Sequence, residues 1–323
     1  MSGDRIATEA DLAGCVATAV LAPSLHNSQP WRFRLRDGAV EVYADRRRRL
    51  DALDPAGREL TVSVGAAVFT LRLAVRGLGR VARLRLLPDP EQPDLVAVVT
   101  PGRPAAVPDA VATLLAAVPR RHTNRRPFAS AVVPADVVEE MTGAARGHGI
   151  RLTVAGAAAR EIILNLSRAA ERRLRMHGSY RAELRRWTSR PPSRRDGIPP
   201  PAIGPWDALE RLPLRDFGLM QPHLARVAER FEPFPTITVL STAGDDVRQW
   251  LAAGQALQHL LLVATRAGLA TTPISQPVEV PAIRELLSDA GAGWWAQMIV
   301  RIGYGSPAAA TPRRALAEVL DSG

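Results

Sequence analysis

The chain has no lysine, a single cysteine and few aromatics. All 42 basic residues among its 323 are arginine, against 32 acids, which leaves a net charge of +10. Arginine, alanine, proline and glycine share G+C-rich codons, so much of this bias has a bland origin. The arginines are scattered and aromatics make up only 5%, so the pattern of a nucleic-acid-binding face is missing and nucleic acid is not expected as a partner. The run "RRRRL" at Arg46 to Leu50 reads as a solvated strand end or turn. One cysteine, Cys15, excludes an internal disulfide and any CxxC pair, which fits a reducing cytoplasm. The six histidines show no HExxH spacing, so a zinc site is not expected, and no G-x-S-x-G elbow supports hydrolase chemistry. No apolar run reaches the length of a membrane span, and the start "MSGDRIATEADLAGC" has acids and no apolar core of export-signal length.

What remains is an ordinary globular composition, 46% hydrophobic and 23% charged, in a chain long enough for one large or two smaller domains. Residues Asp11 to Leu21 have helical apolar spacing. "RFRLRDGAVEVYAD" alternates around an Asp-Gly turn and predicts a hairpin. Arg58 to Leu78 predicts a long apolar helix, followed by the strands "RVARLRLL" and "DLVAVVTPG" and a short helix to Val118. A second cycle starts at "PRRHTNRRPF", with a helix over Ala135 to Arg146, the strand "IRLTVAG" and a helix from Ala157 to about Met176. Then come the strand "TITVLST", the helix "DVRQWLAAGQALQHLLLVATRAGL", the loop "ATTPISQPVEVP", a short helix at "AIRELL", the strand "WWAQMIVRIGYG" and a weakly helical tail. Mixed helices and strands with hairpin signals favour an α+β fold over a doubly wound sheet.

Two segments stand apart. Ser179 to Pro235 is too rich in Pro and Arg for a core element and too studded with Trp and Leu for a plain linker, so it reads as a lid or arm. "GAAVFTLRLAVRGLG" (Gly65 to Gly79) and "GQALQHLLLVATRAG" (Gly254 to Gly268) align without gaps, matching at both terminal glycines, at Ala67 with Ala256, Leu71 with Leu260 and Leu73 with Leu262. This faint repeat tilts toward two related halves. The string "GLGRVA", Gly77 to Ala82, imitates a dinucleotide fingerprint but follows a helix and precedes a strand, so it reads as a helix C-cap.

Three short stretches carry the chemistry. "LAPSLHNSQPWRF" holds short polar side chains between two rigid prolines, an arrangement that presents amides and hydroxyls to a ligand. "RRHTNRRPF" alternates so that Arg121, Thr123 and Arg125 share a side, and a guanidinium fork suits a phosphate. In "TTPISQP" the prolines fix the backbone around Ser275 and Gln276. His26 and His122 draw interest only through these neighbours.

Together these stretches resemble the nitroreductase family of FMN-dependent flavoproteins. "APSLHNSQPWRF" is similar to its A-P-S-x-x-N-x-Q-P-W-x-F motif, "RRHTNRRPF" to its R-x-S-x-R/K segment, "GLATTPISQP" to its P-x-E-G loop, and "RIGYGSPAAATPRR" to its closing G-Y strand and Arg-bearing tail. The family's usual motif order is inverted here: P-S-x-x-N comes first and R-x-S-x-R starts the second half. Inverted order, length, repeat and insertion resemble the Acg-type branch of mycobacteria and related actinobacteria.

The resemblance implies a nitroreductase-like pseudo-dimer of fused halves, 1–119 and 120–323, with a lid over about 179–235 and one complete FMN site per chain. It implies that Pro23, Ser24 and Asn27 reach the flavin from the first half. Arg121 and Arg313 match phosphate-binding arginines, Thr123 adds a hydroxyl, Arg125 matches the cation beside flavin N1 and O2, and Pro273, Ile274, Ser275 and Gln276 lie along the N5 edge. The family's acid and glycine in the N5 loop are replaced here by Ser and Gln. Two functions stay open. One is an FMN store or sequestering protein with weak or no NAD(P)H turnover, Trp187, Trp206 and Phe217 lending apolar contacts from the lid. The other is an active NAD(P)H-dependent nitroreductase or quinone reductase working by a ping-pong cycle. The sequence leaves monomer or homodimer undecided.

Overall fold

The computed structural model describes residues 7–188, 193–221 and 223–321. Within the segment expected as a lid, residues 189–192 and 222 therefore lie outside the described residues.

In chain order the elements are α1 (Glu9–Ala19), β1 (Trp31–Arg36), β2 (Ala39–Ala44), α2 (Arg58–Gly77), β3 (Arg80–Leu86), β4 (Leu95–Pro104), α3 (Asp109–Ala117), α4 (Ala135–Arg146), β5 (Arg151–Val154), α5 (Ala157–Arg175) and α6 (Gly178–Thr188). They continue with β6 (Trp206–Asp207), β7 (Ala228–Glu229), β8 (Thr236–Thr242), α7 (Val247–Arg266), β9 (Ala270–Ile274), α8 (Gln276–Glu279), α9 (Pro281–Leu287), β10 (Trp295–Gly303), α10 (Leu316–Val319) and β11 (Leu320–Asp321). The fold is α+β, as expected. One sheet has the order β11-β1-β2-β4-β3, a second β5-β8-β10-β9, and β6 pairs with β7.

Local chemistry sets the boundaries. α1 starts two residues before the first apolar-periodic position because Thr8 and Asp11 form a capping box, Asp11 Oδ2 accepting from the Thr8 amide at 2.9 Å. The hairpin closes at Asp37 and Gly38, both at positive φ, with Arg36 opposite Ala39. In β1, Trp31 and Phe33 point into the core at 0% exposure. Gly79, with φ +73°, caps α2 by donating to the Arg76 carbonyl, so "GLGRVA" is the helix end that its context indicated.

The two long helices α2 and α7 pack directly on one another between the sheets. Their crossing falls on the repeat's opening glycines: a Cβ on Gly65 would sit 2.4 Å from the Leu251 carbonyl oxygen, and one on Gly254 2.0 Å from that of Val62. Only glycine permits backbones this close. α2 is long and apolar enough to cross a membrane, but 83% of that window is buried inside the protein. The C-terminal strand β11 leaves the second half and pairs parallel to β1, Phe33 opposite Leu320.

Two expectations are corrected. "ATTPISQPVEVP" is not a loop: Ala270–Ile274 is an edge strand against β10, with Pro273 opposite Val300, and Gln276–Glu279 turns helically. An edge position tolerates the proline because no neighbour needs its missing N–H. The segment after Ser179 is not free of core elements either. Tyr180, Leu184 and Trp187 fall on one face of α6, at 1%, 0% and 1% exposure, and join Ile198, Ile203 and Phe217 in a hydrophobic cluster. The Pro-rich composition belongs to the residues beyond that helix.

Candidate functional site

The first motif folds into a tight turn. His26, Asn27 and Gln29 all have positive φ, 49°, 55° and 50°, a conformation costly for side chains other than glycine. It is held from several directions. The Gln29 amide donates to Ser24 Oγ at 2.9 Å, the Leu25 amide to Ser63 Oγ at 3.1 Å, and the Arg314 amide to Gln29 Oε1 at 2.8 Å. Asn27 Nδ2 donates to the carbonyls of Gly197 and Pro312, each at 3.1 Å, and Asn27 Oδ1 accepts from Arg313 at 3.1 Å. Thus the polar side chains of the motif bond to the protein itself, tying together the insertion, the tail and α2. The turn needs these bonds to hold its strained backbone.

The basic segment is laid against β9. Thr123 bridges Thr271, the Asn124 amide donates to the Thr271 carbonyl at 2.9 Å, and Thr272 Oγ1 donates back to the Asn124 carbonyl. Behind it, Arg301 and Glu232 form a fully buried two-pronged ion pair, 2.6 Å on each prong, with the guanidinium 3.5 Å from the Phe128 ring. Glu232 also accepts the Phe128 amide at 2.9 Å. The segment is thereby fixed at both ends.

Arg121 and Arg313 converge from opposite ends of the chain. Nη2 of each donates to the Leu21 carbonyl, at 3.4 and 3.3 Å. The Nε atoms of both are buried without a partner. Burial lowers Arg121 to about 9, helped by the charge of Arg313, and burial alone lowers Arg313 to about 10. His122 beside them is also lowered, by burial and then by both guanidiniums. Among the described residues no carboxylate pairs with either arginine. Two buried cations without an anion are costly unless a ligand supplies one, so these residues fit a phosphate.

A cavity of about 80 Å³ opens at Thr123, two residues along the chain from Arg121. Its wall takes Pro23, Ser24 and His26 from the first turn, Glu59, Val62 and Ser63 from α2, and Thr123 and Arg125 from the basic segment. Pro273, Ser275 and Gln276 come from β9 and α8, and Leu214, Arg215 and Phe217 from the insertion. Of the residues expected at a site, Ile274 faces the core instead, at 1% exposure. Asn27, Arg121 and Arg313 do not line the cavity; Asn27 and Arg313 bond to each other, and Arg313 meets Arg121 at the Leu21 carbonyl. Trp187 is in the insertion's own core and Trp206 is 38% exposed, so of the three aromatics expected over the site only Phe217 lines the cavity.

Arg125 has no carboxylate partner among the described residues. Burial lowers it to about 10, aided by Arg215; its Nη1 donates to the Ala202 carbonyl at 2.9 Å, and its guanidinium stands 4.7 Å from the Phe217 ring. His26 also meets that ring, edge-on at 5.0 Å. Both nitrogens of His26 are buried without a partner, and burial followed by the charges of Arg215 and Arg125 holds it neutral, well below the usual imidazole range.

Glu59 and Arg215 were not singled out by the motifs. Arg215 is 6% exposed and pairs with Glu279. Glu59 has a sequence signal in hindsight: it is an acid at the head of a long apolar helix that is buried along nearly its whole length, where a solvated charge has no exit.

Comparison with known proteins bears on this geometry. The Nitroreductase family model matches residues 118–304. A Mycobacterium tuberculosis protein provisionally named NAD(P)H nitroreductase Rv3131 is 34% identical, over 94% of this chain and 89% of its own. A second from that organism, provisionally named NAD(P)H nitroreductase acg, is 31% identical over 98% and 97%. A solved nitroreductase from Desulfovibrio desulfuricans, in complex with FMN, is 17% identical with a TM-score of 0.39, covering 65% of this chain and 96% of that one.

Proposed function

The chain belongs to the nitroreductase family, Acg-type branch, and from that premise we propose that it is an FMN-binding flavoprotein, one flavin per chain, serving mainly to hold the flavin rather than to turn over nicotinamide. The observation that carries the flavin is the convergence of Arg121 and Arg313, buried and, among the described residues, without an acid, two residues along the chain from a cavity wall at Thr123.

In this reading the two arginines neutralise the phosphate and Thr123 adds a hydroxyl donor. Arg125 places a cation against the ring, where negative charge gathers on reduction. Pro273, Ser275 and Gln276 border one edge, and Pro23 and Ser24 close the site from the first turn. FMN, when bound, supplies two-electron redox chemistry at a planar ring. Leu214 and Phe217 exclude water from it. The glycine crossing of α2 and α7 supports the division into related halves, 1–119 and 120–323, with 179–235 as the cover.

Phe217 favours the holding function. At 3% exposure it contacts both His26 and Arg125 and belongs to the apolar cluster that α6 shares with Leu50 and Leu53. The second reading, an NAD(P)H-dependent nitroreductase or quinone reductase, is favoured by the names of the two mycobacterial relatives and requires that segment to open. The test is the anaerobic visible spectrum of the FMN-loaded protein before and after NADPH or NADH. A flavin band that persists supports holding, bleaching within seconds supports the reductase, and no band after FMN is supplied rejects both.

A further inference from the structure

One acid in the cavity wall has no task in the binding scheme above. Glu59 is 2% exposed; its Oε1 accepts from Arg58 Nη2 at 2.8 Å, and its Oε2 is buried with no partner. We propose that Glu59 is the proton-bearing donor of this cavity, its Oε2 offering a hydrogen bond to a carbonyl or ring-nitrogen acceptor of the flat heterocycle or quinone bound there. The identity of that heterocycle as a flavin rests on the function proposed above; the donor itself rests on the cavity.

The charge count of the cluster supports it. Facing Glu59 are Asp54 before α2, Arg58 on α2, Glu279 on α8 and Arg215 from the insertion, with His26 and Arg125 elsewhere in the same wall. Three carboxyl groups thus crowd two guanidiniums, Arg58 and Arg215, at close range, and the charge of Arg125 is not among those that act on Glu59. Glu279 has both oxygens on Arg215. Asp54 is itself raised by burial, but it accepts the Leu60 amide at 2.8 Å, a bond that works against that shift. Arg58 is shared with the carbonyls of Gln297 and Val278 and with Gln297 Oε1. Glu59 is the acid left least compensated. Burial, then Glu279, then Asp54 raise it well above the usual carboxyl range against the pull of Arg58 and Arg215. A neutral carboxyl has one O–H to give, and Oε2 is the oxygen without another use.

The sign of the linkage is fixed. If the protonated form is the donor, affinity is full at low pH and falls as pH rises through the titration of Glu59, at most about tenfold per unit. A Gln at the same place keeps an N–H donor and does not titrate.

The experiment measures FMN dissociation constants from pH 5.5 to 9 by flavin fluorescence for the wild type, Glu59→Gln and Glu59→Ala. The ratio of wild type to Glu59→Gln cancels the phosphate's own titration. That ratio is expected to rise with pH, with Glu59→Ala weaker than Glu59→Gln by about tenfold at every pH, the effect of one lost donor. A ratio flat across the range overturns the proposal. Failure of every variant to bind FMN rejects the flavin reading instead, and the same ratio is then taken with the quinone menadione; a flat ratio there overturns the proposal as well.

Discussion

Arg121 and Arg313 lie 192 positions apart in the chain, yet both donate to the one carbonyl of Leu21, at 3.4 and 3.3 Å. Burial lowers both, the charge of Arg313 lowers Arg121 further, and among the described residues neither has an acid. Inorganic phosphate is therefore expected to raise the Tm of the flavin-free wild type in proportion to its logarithm. Arg121→Gln combined with Arg313→Gln is expected to abolish that rise. In the same variant FMN binding weakens by a factor of about 100 or more, since two charge-assisted bonds are lost. Differential scanning fluorimetry with and without phosphate decides it.

The insertion's core changes how its covering role is tested. Removing 179–235 would delete Tyr180, Leu184 and Trp187 and so strip Leu50, Leu53 and Leu174 of the residues they cluster with, so deletion tests folding rather than access. Phe217→Ala is the cleaner change. It is expected to cost about 3 kcal/mol of stability as a buried aromatic truncation and to speed the bleaching of bound flavin by NADPH. Unchanged bleaching in stopped flow would mean that Phe217 does not guard the ring.

How much of this was legible beforehand follows from what each residue does locally. The Asp37-Gly38 hairpin, the long helices and the α+β class were readable because they are written in short-range pattern. The edge strand carrying Pro273 was not, since proline and a polar run mimic a loop unless the neighbouring strand is known. α6 was hidden because the composition of a long window outweighed the spacing of Tyr180, Leu184 and Trp187. Arg121, Arg125, Thr123 and Arg313 were singled out through motif resemblance, and the structure buries the guanidiniums of all three arginines without an acid partner among the described residues. Glu59 and Arg215 were not, because their significance lies in long-range burial, and Asn27 proved to be bonded on both ends of its amide by segments far off in sequence.

Arg301 and Glu232 give a third expectation. Glu232→Gln leaves a buried guanidinium without its acid while preserving shape, and is expected to destabilise the chain by about 3–5 kcal/mol. Because Glu232 also accepts the Phe128 amide, FMN affinity should fall with it. Urea denaturation followed by circular dichroism, alongside flavin titration, measures both. A loss below about 1 kcal/mol would contradict the assigned role of the pair.

A pH expectation comes from a different place. His259 stacks on Phe69 at 4.7 Å, with His148 edge-on at 5.6 Å. Burial pushes both to about 4; the charge of His259 and then of Arg72 also lowers His148. An imidazole lowered in the folded state takes up its proton more readily when unfolded, so stability falls as pH drops from about 6.5 to about 4 and is level below that. The double variant His148→Phe, His259→Phe should show a shallower fall across that window. Urea midpoints at pH 7, 5.5 and 4 test it.

The contact at Gly65 and Gly254 has a consequence for motion. With no side chains between them, α2 and α7 have nothing compressible to slide over, and β11 stitches the second half of the chain to the first sheet. The insertion is attached differently, through the bonds of Asn27 to Gly197, Gln29 to Arg195 and Arg125 to Ala202. An opening at that wall would leave the glycine contact untouched, and the rate at which a ligand exchanged with solvent would then be set by those latches, independently of how tightly the ligand is held.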